Sequence, residues 1–212
     1  MGIREALTSS DPGSLSSALR RRRYARFLAT FPGLGEMRVL DLGGRPGTWL
    51  GRDVVPAAVV CVNLEAHEAP PGPVVAVQGD ACDAEAIGRL GRFDLVYSNS
   101  AIEHVGGHAN RRRFADSVEV AADRFWIQTP NRYFPIEPHA VWPGFQFLPF
   151  GARRFVAARW PLSPLGTGGD LDDEILAIDL LSASELRHYF PQATIWRERV
   201  AGLTKSLVAL RA

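Results

Sequence analysis

The chain has 212 residues, a formal net charge of +1 and 46% apolar residues, which suits one globular domain spanning residues 1–212 with a full hydrophobic core. The balanced charge excludes a global field that draws a protein to nucleic acid or to an anionic membrane. The two cysteines form neither a disulfide framework nor a metal-ligand pattern, so we expect a reduced, cytoplasmic setting. Because the sequence shows no signal peptide and no run near the roughly 20 apolar residues of a membrane span, we expect a soluble protein.

The N-terminal part of the chain predicts one amphipathic helix. Residues 1–13 are polar and are expected to be loosely structured. Residues 14–31 place leucines and aromatic residues on one face and arginines elsewhere, which is the period of a helix. The Pro-Gly pair at 32–33 ends this pattern. Residues 1–34 are therefore expected to be an N-terminal helical segment of the same domain.

Short apolar runs rich in β-branched residues then recur along the chain and predict a parallel sheet. The predicted strands are residues 38–42, 57–64, 74–78, 93–98, 124–129, 193–200 and 206–210, with helices at 84–90 and 109–122. Continuous apolar runs suit strands that are buried on both faces. The alternation predicts an α/β fold, an open and mostly parallel sheet with helices on both faces. Only a short link separates the last two strands, so we expect them to be antiparallel neighbours.

Residues 132–180 interrupt the alternation. They are rich in proline and aromatic residues, and they follow the carboxyl end of the fifth strand, where such sheets bind ligands. A compact domain seldom carries so long an irregular insertion without a functional reason. The segment is therefore predicted to be a lid over a substrate pocket, with an ordinary surface insertion packed on its own aromatic residues as the alternative.

Residues 39–49, Val-Leu-Asp-Leu-Gly-Gly-Arg-Pro-Gly-Thr-Trp, form the sharpest local motif. Here a strand ends in a turn where Gly43, Gly44 and Gly47 permit positive φ and let a ligand approach the backbone. Exposed backbone N–H groups at such a turn can bind polar ligand atoms. Asp41 can accept hydrogen bonds from the ligand or brace the turn. Glycine turns occur wherever strands meet helices, so this motif needs support from elsewhere in the chain.

That support comes from polar residues after the next three predicted strands. Glu65 ends the second strand, at a spacing from Asp41 that suits a carboxylate holding both hydroxyls of a ribose. Asp80 and Ala81 follow the third strand, where Asp80 can accept a hydrogen bond from an adenine amino group. Asn99 belongs to the segment after the fourth strand. Because the four motifs lie at strand carboxyl ends in order, we predict that they form one cofactor site.

The stretch from Val39 to Val105 resembles the class I S-adenosylmethionine-dependent methyltransferases, particularly the small-molecule group called type 11. The acid and the glycines of that family's first motif correspond to Asp41, Gly43 and Gly47, whereas Arg45 stands where the family has its middle glycine. The acids that follow the second and third strands also correspond. The likeness covers about residues 35–140.

Two later segments extend the resemblance. Glu103-His104-Val105 after the fourth strand matches the family pattern, and residues 128–139, Gln-Thr-Pro-Asn-Arg-Tyr-Phe-Pro-Ile-Glu-Pro-His, resemble a segment of a bacterial subgroup. The resemblance implies a Rossmann-like sheet of seven strands whose last strand is inserted antiparallel. It also implies S-adenosyl-L-methionine as cofactor, S-adenosyl-L-homocysteine as product and a small-molecule acceptor methylated at O, N or C.

Methyl transfer chiefly requires that donor and acceptor be held in line with water excluded. One general base that takes a proton from the acceptor often assists. The candidates are His139, which follows Glu137 in a proline-flanked segment, and His104 after the fourth strand. The alternatives are structural: Glu137 and His139 tie the loop to the body, and His104 braces its helix.

Other features of the sequence indicate ordinary surface. Residues 170–174 hold four acids without the spacing of a metal-binding loop, so we expect a solvated acidic turn and no metal site. The arginine runs at 20–23 and 111–113 are expected to be solvated helix faces, which argues against nucleic acid as a partner. An RNA methyltransferase and a non-catalytic cofactor-binding domain remain as alternatives. A nicotinamide enzyme fits less well, because the Gly-x-Gly-x-x-Gly spacing is absent. The oligomeric state stays open, with a homodimer as one option.

Overall fold

A computed structural model describes residues 15–166 and 169–212 of the protein. The predicted loose structure of residues 1–13 and the predicted start of the first helix at Ser14 lie outside these residues. The described helices are α1 (Leu15–Thr30), α2 (Ala84–Arg89), α3 (Gly107–Ala121), α4 (Phe150–Arg159), α5 (Leu171–Leu176) and α6 (Ala183–Tyr189). The described strands are β1 (Arg38–Leu42), β2 (Ala58–Asn63), β3 (Val74–Gln78), β4 (Leu95–Asn99), β5 (Phe125–Pro130), β6 (Ile136–Glu137), β7 (Trp142–Pro143), β8 (Thr194–Val200) and β9 (Leu203–Arg211).

Seven of these strands form one twisted sheet in the order β3-β2-β1-β4-β5-β9-β8. The first five are parallel, and β9 is inserted antiparallel between β5 and β8. The link between β8 and β9 is tight, with Ala201 and Gly202 both at positive φ. The predicted seven-stranded, mostly parallel sheet with an inserted antiparallel final strand is confirmed.

The strand order reverses direction between β1 and β4. From β1 the chain proceeds outward to β2 and β3, and it then returns to β4 and continues outward on the other side to β5. In open α/β sheets, ligands bind outside the carboxyl ends of the strands at such a reversal. The topology therefore places a crevice where the glycine turn after β1 faces the segment after β4.

A separate hydrophobic cluster covers each face of the sheet. On one face, Ile87 of α2, Phe114 of α3 and Leu186 of α6 belong to the larger cluster. On the other face, α1 buries Phe27, whose ring centroid lies 5.4 Å from that of Trp126 in β5. The amphipathic pattern of residues 14–31 is explained by this packing, since α1 shields the strands from water along its aromatic stripe.

The insertion at residues 132–180 has secondary structure of its own. It contains the short β6–β7 pair and the helices α4 and α5. Ala140, Phe145, Ala157 and Ile175 form a small core within it. The expectation that this segment is irregular is wrong, because its apolar residues form a small core with two short helices. Within the described residues, no helix is both long enough and apolar enough to cross a bilayer.

Two of the arginines predicted to be solvated are instead paired with acids. Arg111 of α3 is 3% exposed, and its guanidinium lies 2.7 Å from Asp179 Oδ2 at the end of the insertion. Arg23 of α1 lies 2.7 Å from the buried Glu198 of β8. The prediction of solvated arginine faces is wrong at these two positions, because the tertiary fold brings an acid to each.

Candidate functional site

A cavity of about 580 Å³ lies at the carboxyl ends of the parallel strands. Its walls come from the ends of β1, β2 and β3 and from the segment that follows β4. They include the following predicted site residues: Gly43, Glu65, Asp80, Ala81 and His104. The cavity has the size of an ordinary small-molecule site, for which volumes of about 300–1,000 Å³ are usual. The tertiary structure thus brings four separate sequence motifs to one cavity.

The glycine turn after β1 is dictated by the protein's own packing. Gly43 has φ +80°, and a Cβ added there would lie 2.5 Å from the Cβ of Ala101. A Cβ on Gly44 would lie 2.0 Å from the Asp41 carboxylate. A Cβ on Gly47 meets no described atom within 4 Å. The sequence reasoning assigned these glycines to ligand approach, whereas two of them are required before any ligand arrives.

Asp41 lies buried beneath this turn and accepts a hydrogen bond from Trp49 Nε1 at 2.7 Å. Burial raises the pKa of Asp41 to about 7, although the Trp49 hydrogen bond and the charge of Arg52 oppose the shift. Of the two roles considered from the sequence, the geometry favours bracing the turn over direct contact with a ligand.

Glu65 stands at the open side of the cavity as an exposed carboxylate. Its Oε2 lies 3.1 Å from the Arg45 guanidinium. Arg45, which stands where the resembling family has its middle glycine, is therefore paired with the residue predicted to bind the ribose. Both side chains line the cavity. The pair is solvated and is therefore worth little energetically, so it can open or share its oxygens with a ligand.

Asn63 at the end of β2 has a role that the sequence reasoning missed. Its Nδ2 donates to the carbonyl oxygens of Gly43 at 3.1 Å and Gly44 at 3.2 Å. Its Oδ1 accepts from the backbone N–H of Glu65 at 3.1 Å. Asn63 therefore locks the glycine turn to the ribose-side acid. The available signal was a polar residue ending an otherwise apolar strand.

Asp80 lies at the far end of the cavity, with its Oδ1 accepting from the Cys82 N–H at 2.8 Å. On the opposite wall, Asn110 donates to the Val105 carbonyl at 2.8 Å and holds the segment after β4 in place. Asp80, Val105 and Asn110 all line the cavity.

Asn99 is placed differently from the other predicted cofactor residues. Its Oδ1 accepts from Arg23 at 3.1 Å, and it lines two neighbouring pockets on the α1 side of β4. The next residue, Ser100, has φ +56° and donates from Oγ to Gln128 Oε1 at 3.0 Å. A positive φ is uncommon for a residue with a side chain and recurs at functional sites.

Ser100 marks the junction of the cofactor cavity with a second pocket of about 250 Å³. Three cationic side chains line this second pocket, those of Arg20, Arg23 and Lys205, together with Phe134 and Pro138. Its position beside the first cavity and under the insertion makes it a candidate acceptor pocket. A third pocket of about 300 Å³ lies between α1 and the sheet.

The predicted catalytic residues lie close together, and His104 among them lines the cavity at the strand ends. His139 Nδ1 donates to Glu137 Oε1 at 2.6 Å, and the His104 and His139 rings stand edge to face with centroids 4.9 Å apart. Glu137 is buried, and its other oxygen accepts from the Ala140 N–H at 2.5 Å. The insertion therefore delivers His139 to the segment after β4.

Glu103 also belongs to this group, although the sequence reasoning gave it no role. It is fully buried, and its Oε2 accepts from Thr129 Oγ1 at 2.9 Å. Burial raises the pKa of Glu103 to about 7. Its position directly before His104 in the Glu-His-Val pattern was the signal that could have identified it.

The two histidines have opposite charge preferences. Partial burial and the neighbouring His139 lower the pKa of His104 to about 4, so its imidazole is neutral near pH 7. Burial opposes protonation of His139, but the hydrogen bond and the charge of Glu137 raise its pKa above the usual value.

The acidic cluster at residues 170–174 has a structural explanation. Asp170 caps α5 by accepting from the backbone N–H groups of Asp172 and Asp173. Asp172 also pairs with Arg154 at 2.7 Å. Acids in the first turn are stabilised by the helix dipole, which accounts for this run.

No family model and no curated protein matches the chain. Solved structures do match over most of its length. The methyltransferase domain of a bacterial Hen1 is 11% identical, with 91% of this chain and 98% of that chain covered and a TM-score of 0.57. A methyltransferase dependent on S-adenosylmethionine from Anabaena variabilis is 13% identical, with 90% and 83% covered and a TM-score of 0.56. The 1,6-didemethyltoxoflavin-N1-methyltransferase of Burkholderia thailandensis is 15% identical, with 91% and 76% covered and a TM-score of 0.51. The class I methyltransferase fold implied by the sequence resemblance is confirmed.

Proposed function

We propose that the protein is a methyltransferase that uses S-adenosyl-L-methionine and acts on a small-molecule acceptor at O, N or C. The observation that carries the proposal is the single cavity that joins Gly43, Glu65 and Asp80, which end three adjacent parallel strands. The fold gives support, and the Burkholderia neighbour was crystallised with S-adenosylhomocysteine and its small-molecule substrate.

The residues in the cavity suit the three parts of this cofactor. Asp80 and Ala81 lie where the adenine would bind, and the exposed carboxylate of Glu65 suits the ribose hydroxyls. Gly43 has no side chain to project into the cavity, so it leaves room for the amino-acid end. Asp41 supports this turn from below through its hydrogen bond with Trp49.

The cofactor supplies a methyl group that its sulfonium already activates, so the protein's main task is to place the acceptor and exclude water. We propose that residues 132–180 act as the lid and help to form the acceptor pocket next to Ser100. His139 is the candidate base. Its Nδ1 is held by Glu137, which leaves Nε2 to accept a proton from an acceptor hydroxyl or amine.

Calorimetric titration with S-adenosylhomocysteine tests the cofactor assignment. We expect a dissociation constant in the micromolar range, about −8 kcal/mol. Glu65→Gln should weaken binding at least about tenfold, since it removes a charged acceptor for the ribose hydroxyls. Glu68→Gln, an exposed acid in the same loop, is the matched control and should bind as the wild type does. Undetectable binding to the folded wild-type chain would refute the proposal.

An acceptor of small-molecule size fits the charges better than RNA does. Arg23 and Arg111 are tied to acids, which removes one cation from each predicted basic run. Phosphate-tracking proteins present such cations to solvent. Tight, salt-sensitive RNA retention in a filter-binding assay would contradict this assignment, and cofactor binding without turnover across an acceptor panel would favour a non-catalytic domain.

A further inference from the structure

Three side chains that follow β4 and β5 bring possible metal-ligand atoms close together. Glu103 and His104 belong to the turn after β4, and His139 comes from the insertion after β5. One carboxylate oxygen and one nitrogen from each ring all lie within 4.8 Å of one another. No spacing in the sequence revealed this group, because the tertiary fold alone brings residue 139 to residues 103 and 104.

Each of the three side chains has a hydrogen-bond partner outside the group. Thr129 donates to Glu103 Oε2 at 2.9 Å, and Glu137 accepts from His139 Nδ1 at 2.6 Å. The backbone of Ala177 hydrogen-bonds the His104 ring. Carboxylates and carbonyls that hold the remote nitrogen of a histidine are the usual outer partners of metal-ligating imidazoles.

The remaining oxygen of Glu103 has no such partner. Glu103 is 0% exposed, and its Oε1 has no hydrogen-bond partner among the described residues. A buried carboxylate oxygen without a hydrogen-bond partner is unfavourable, because it has lost its hydrogen bonds to water. This orphaned atom lies in the three-residue group, where a bound cation would satisfy it.

We propose that Glu103, His104 and His139 bind a divalent first-row transition metal ion such as Zn²⁺ or Mn²⁺. Two imidazoles and one carboxylate suit these ions rather than Mg²⁺ or Ca²⁺, which prefer oxygen ligands. Bonds of about 2.0–2.2 Å require ligand atoms about 3–3.5 Å apart in a tetrahedral or octahedral site. The ligand atoms, which lie within 4.8 Å of one another, would draw closer together as the ion binds.

The site would keep open positions on the cavity side. Three protein ligands leave at least one position for water or substrate, which is the arrangement of catalytic rather than structural sites. His104 lines the cofactor cavity, so the open position faces the place where the methyl group would be transferred. An acceptor that binds the metal ion through a hydroxyl group would suit this open position.

This chemical role rests on the proposed function, whereas cation binding itself does not. The ion would lower the pKa of the acceptor hydroxyl, whose proton leaves to water. The oxygen then forms a bond to the methyl carbon as the carbon–sulfur bond breaks, and the electron pair stays on sulfur as S-adenosylhomocysteine departs. In this form His139 Nε2 holds the ion, so His139 is a ligand and not the base.

The test measures cation binding by the full chain after treatment with a chelator. Titration with ZnCl₂ and with MnCl₂ should show one equivalent bound, and Co²⁺ should give visible absorption bands of a nitrogen- and oxygen-ligated ion. Glu103→Gln and His139→Asn should each weaken binding by at least about 100-fold and abolish the Co²⁺ spectrum, since each removes a direct ligand. Thermal unfolding of both variants checks that they remain folded.

Two matched controls distinguish this site from surface binding. Asp173→Asn removes an exposed acid of the cluster at 170–174, and His188→Asn removes one ring of the surface pair with His108, whose centroids are 5.6 Å apart. Both should bind the cation as the wild type does. Loss of binding in either control, or unchanged binding in Glu103→Gln, would overturn the proposal, as would the absence of binding by the wild type. A wild-type chain that binds S-adenosylhomocysteine but binds no cation would refute the metal site alone. A wild-type chain that binds the cation but does not bind S-adenosylhomocysteine would refute the methyltransferase alone.

Discussion

Replacing Asp41 by asparagine should make the protein more stable at alkaline pH, although the residue matches the acid of a cofactor motif. Asp41 is 1% exposed, and burial raises its pKa from 3.8 to about 7. The ionised carboxylate is therefore less favourable in the folded protein than in the unfolded chain. Asparagine has nearly the same shape and keeps an oxygen that can accept from Trp49 Nε1, so the substitution removes the buried charge and retains the hydrogen bond.

The magnitude follows from the pKa shift. The rise of the pKa from 3.8 to about 7, at about 1.4 kcal/mol per pH unit, corresponds to an upper limit of about 4 kcal/mol in the free energy of unfolding. Below pH 4 the carboxyl is protonated in both states, so wild type and variant should differ little. Between pH 4 and 7 the folded state holds a proton that the unfolded state has released, so the wild-type free energy of unfolding falls as pH rises. Above pH 7 the difference should be constant.

Urea denaturation of both proteins from pH 4 to pH 9 measures this difference. Glu103 titrates in the same range, but it is present in both proteins and cancels. Asp123→Asn, which removes an exposed acid paired with Arg92, is the matched control and should change stability by less than about 1 kcal/mol. A difference between wild type and Asp41→Asn that does not grow from pH 4 to 7, or a less stable variant at pH 8, would show that Asp41 carries a favourable charge instead.

Three further substitutions test the site and its support. Gly43→Val should abolish binding of S-adenosylhomocysteine and lower the melting temperature, because Gly43 has a positive φ and an added Cβ would lie 2.5 Å from the Cβ of Ala101. The control Gly47→Ala should leave the melting temperature nearly unchanged, because an added Cβ there meets no described atom within 4 Å. His139→Ala should leave binding of S-adenosylhomocysteine within about twofold of wild type in calorimetry and lower turnover of an identified acceptor about 10²- to 10⁴-fold. Arg111→Ala should lower the free energy of unfolding in urea by about 2 kcal/mol, less than for a fully buried pair because Asp179 is half exposed.

Contrary results would have specific meanings. A Gly43→Val protein that binds the cofactor normally would show that the turn relaxes and that the packing argument is wrong. Unchanged turnover in His139→Ala would leave that residue a structural role. A stable Arg111→Ala protein would show that the pair with Asp179 contributes nothing to holding the insertion on α3.

Local patterns were sufficient to predict the sheet. The runs at 38–42 and 74–78 match β1 and β3 in length, because a short apolar run is typical of a strand in a parallel sheet. Helix α3 was also predicted to within a few residues. The insertion at 132–180 was not, since its prolines obscure helical periods and its small core depends on contacts between distant residues.

The candidate site was predictable in part because the local patterns that predicted the strands also located the strand ends. Gly43, Glu65 and Asp80 end strands that the sequence marked, and parallel strands bring their carboxyl ends to one edge. Asn99 shows the limit, because its side chain turns to Arg23 of α1 and lines the neighbouring pockets. The direction of a side chain at a strand end depends on the helix packed beside it.

The amino-acid sequence by itself determined the parallel α/β sheet and the order of polar residues along its ligand-binding edge, because both follow from periodicity within a few residues. Only the tertiary structure decided that Arg111 is buried against Asp179 and that His139 meets Glu103. The two residues of each pair are far apart in the chain. Whether their charges stabilise the folded protein depends on how much water folding removes from around them. Burial and convergence of this kind are properties of the packed molecule, and no stretch of the chain taken alone contains them.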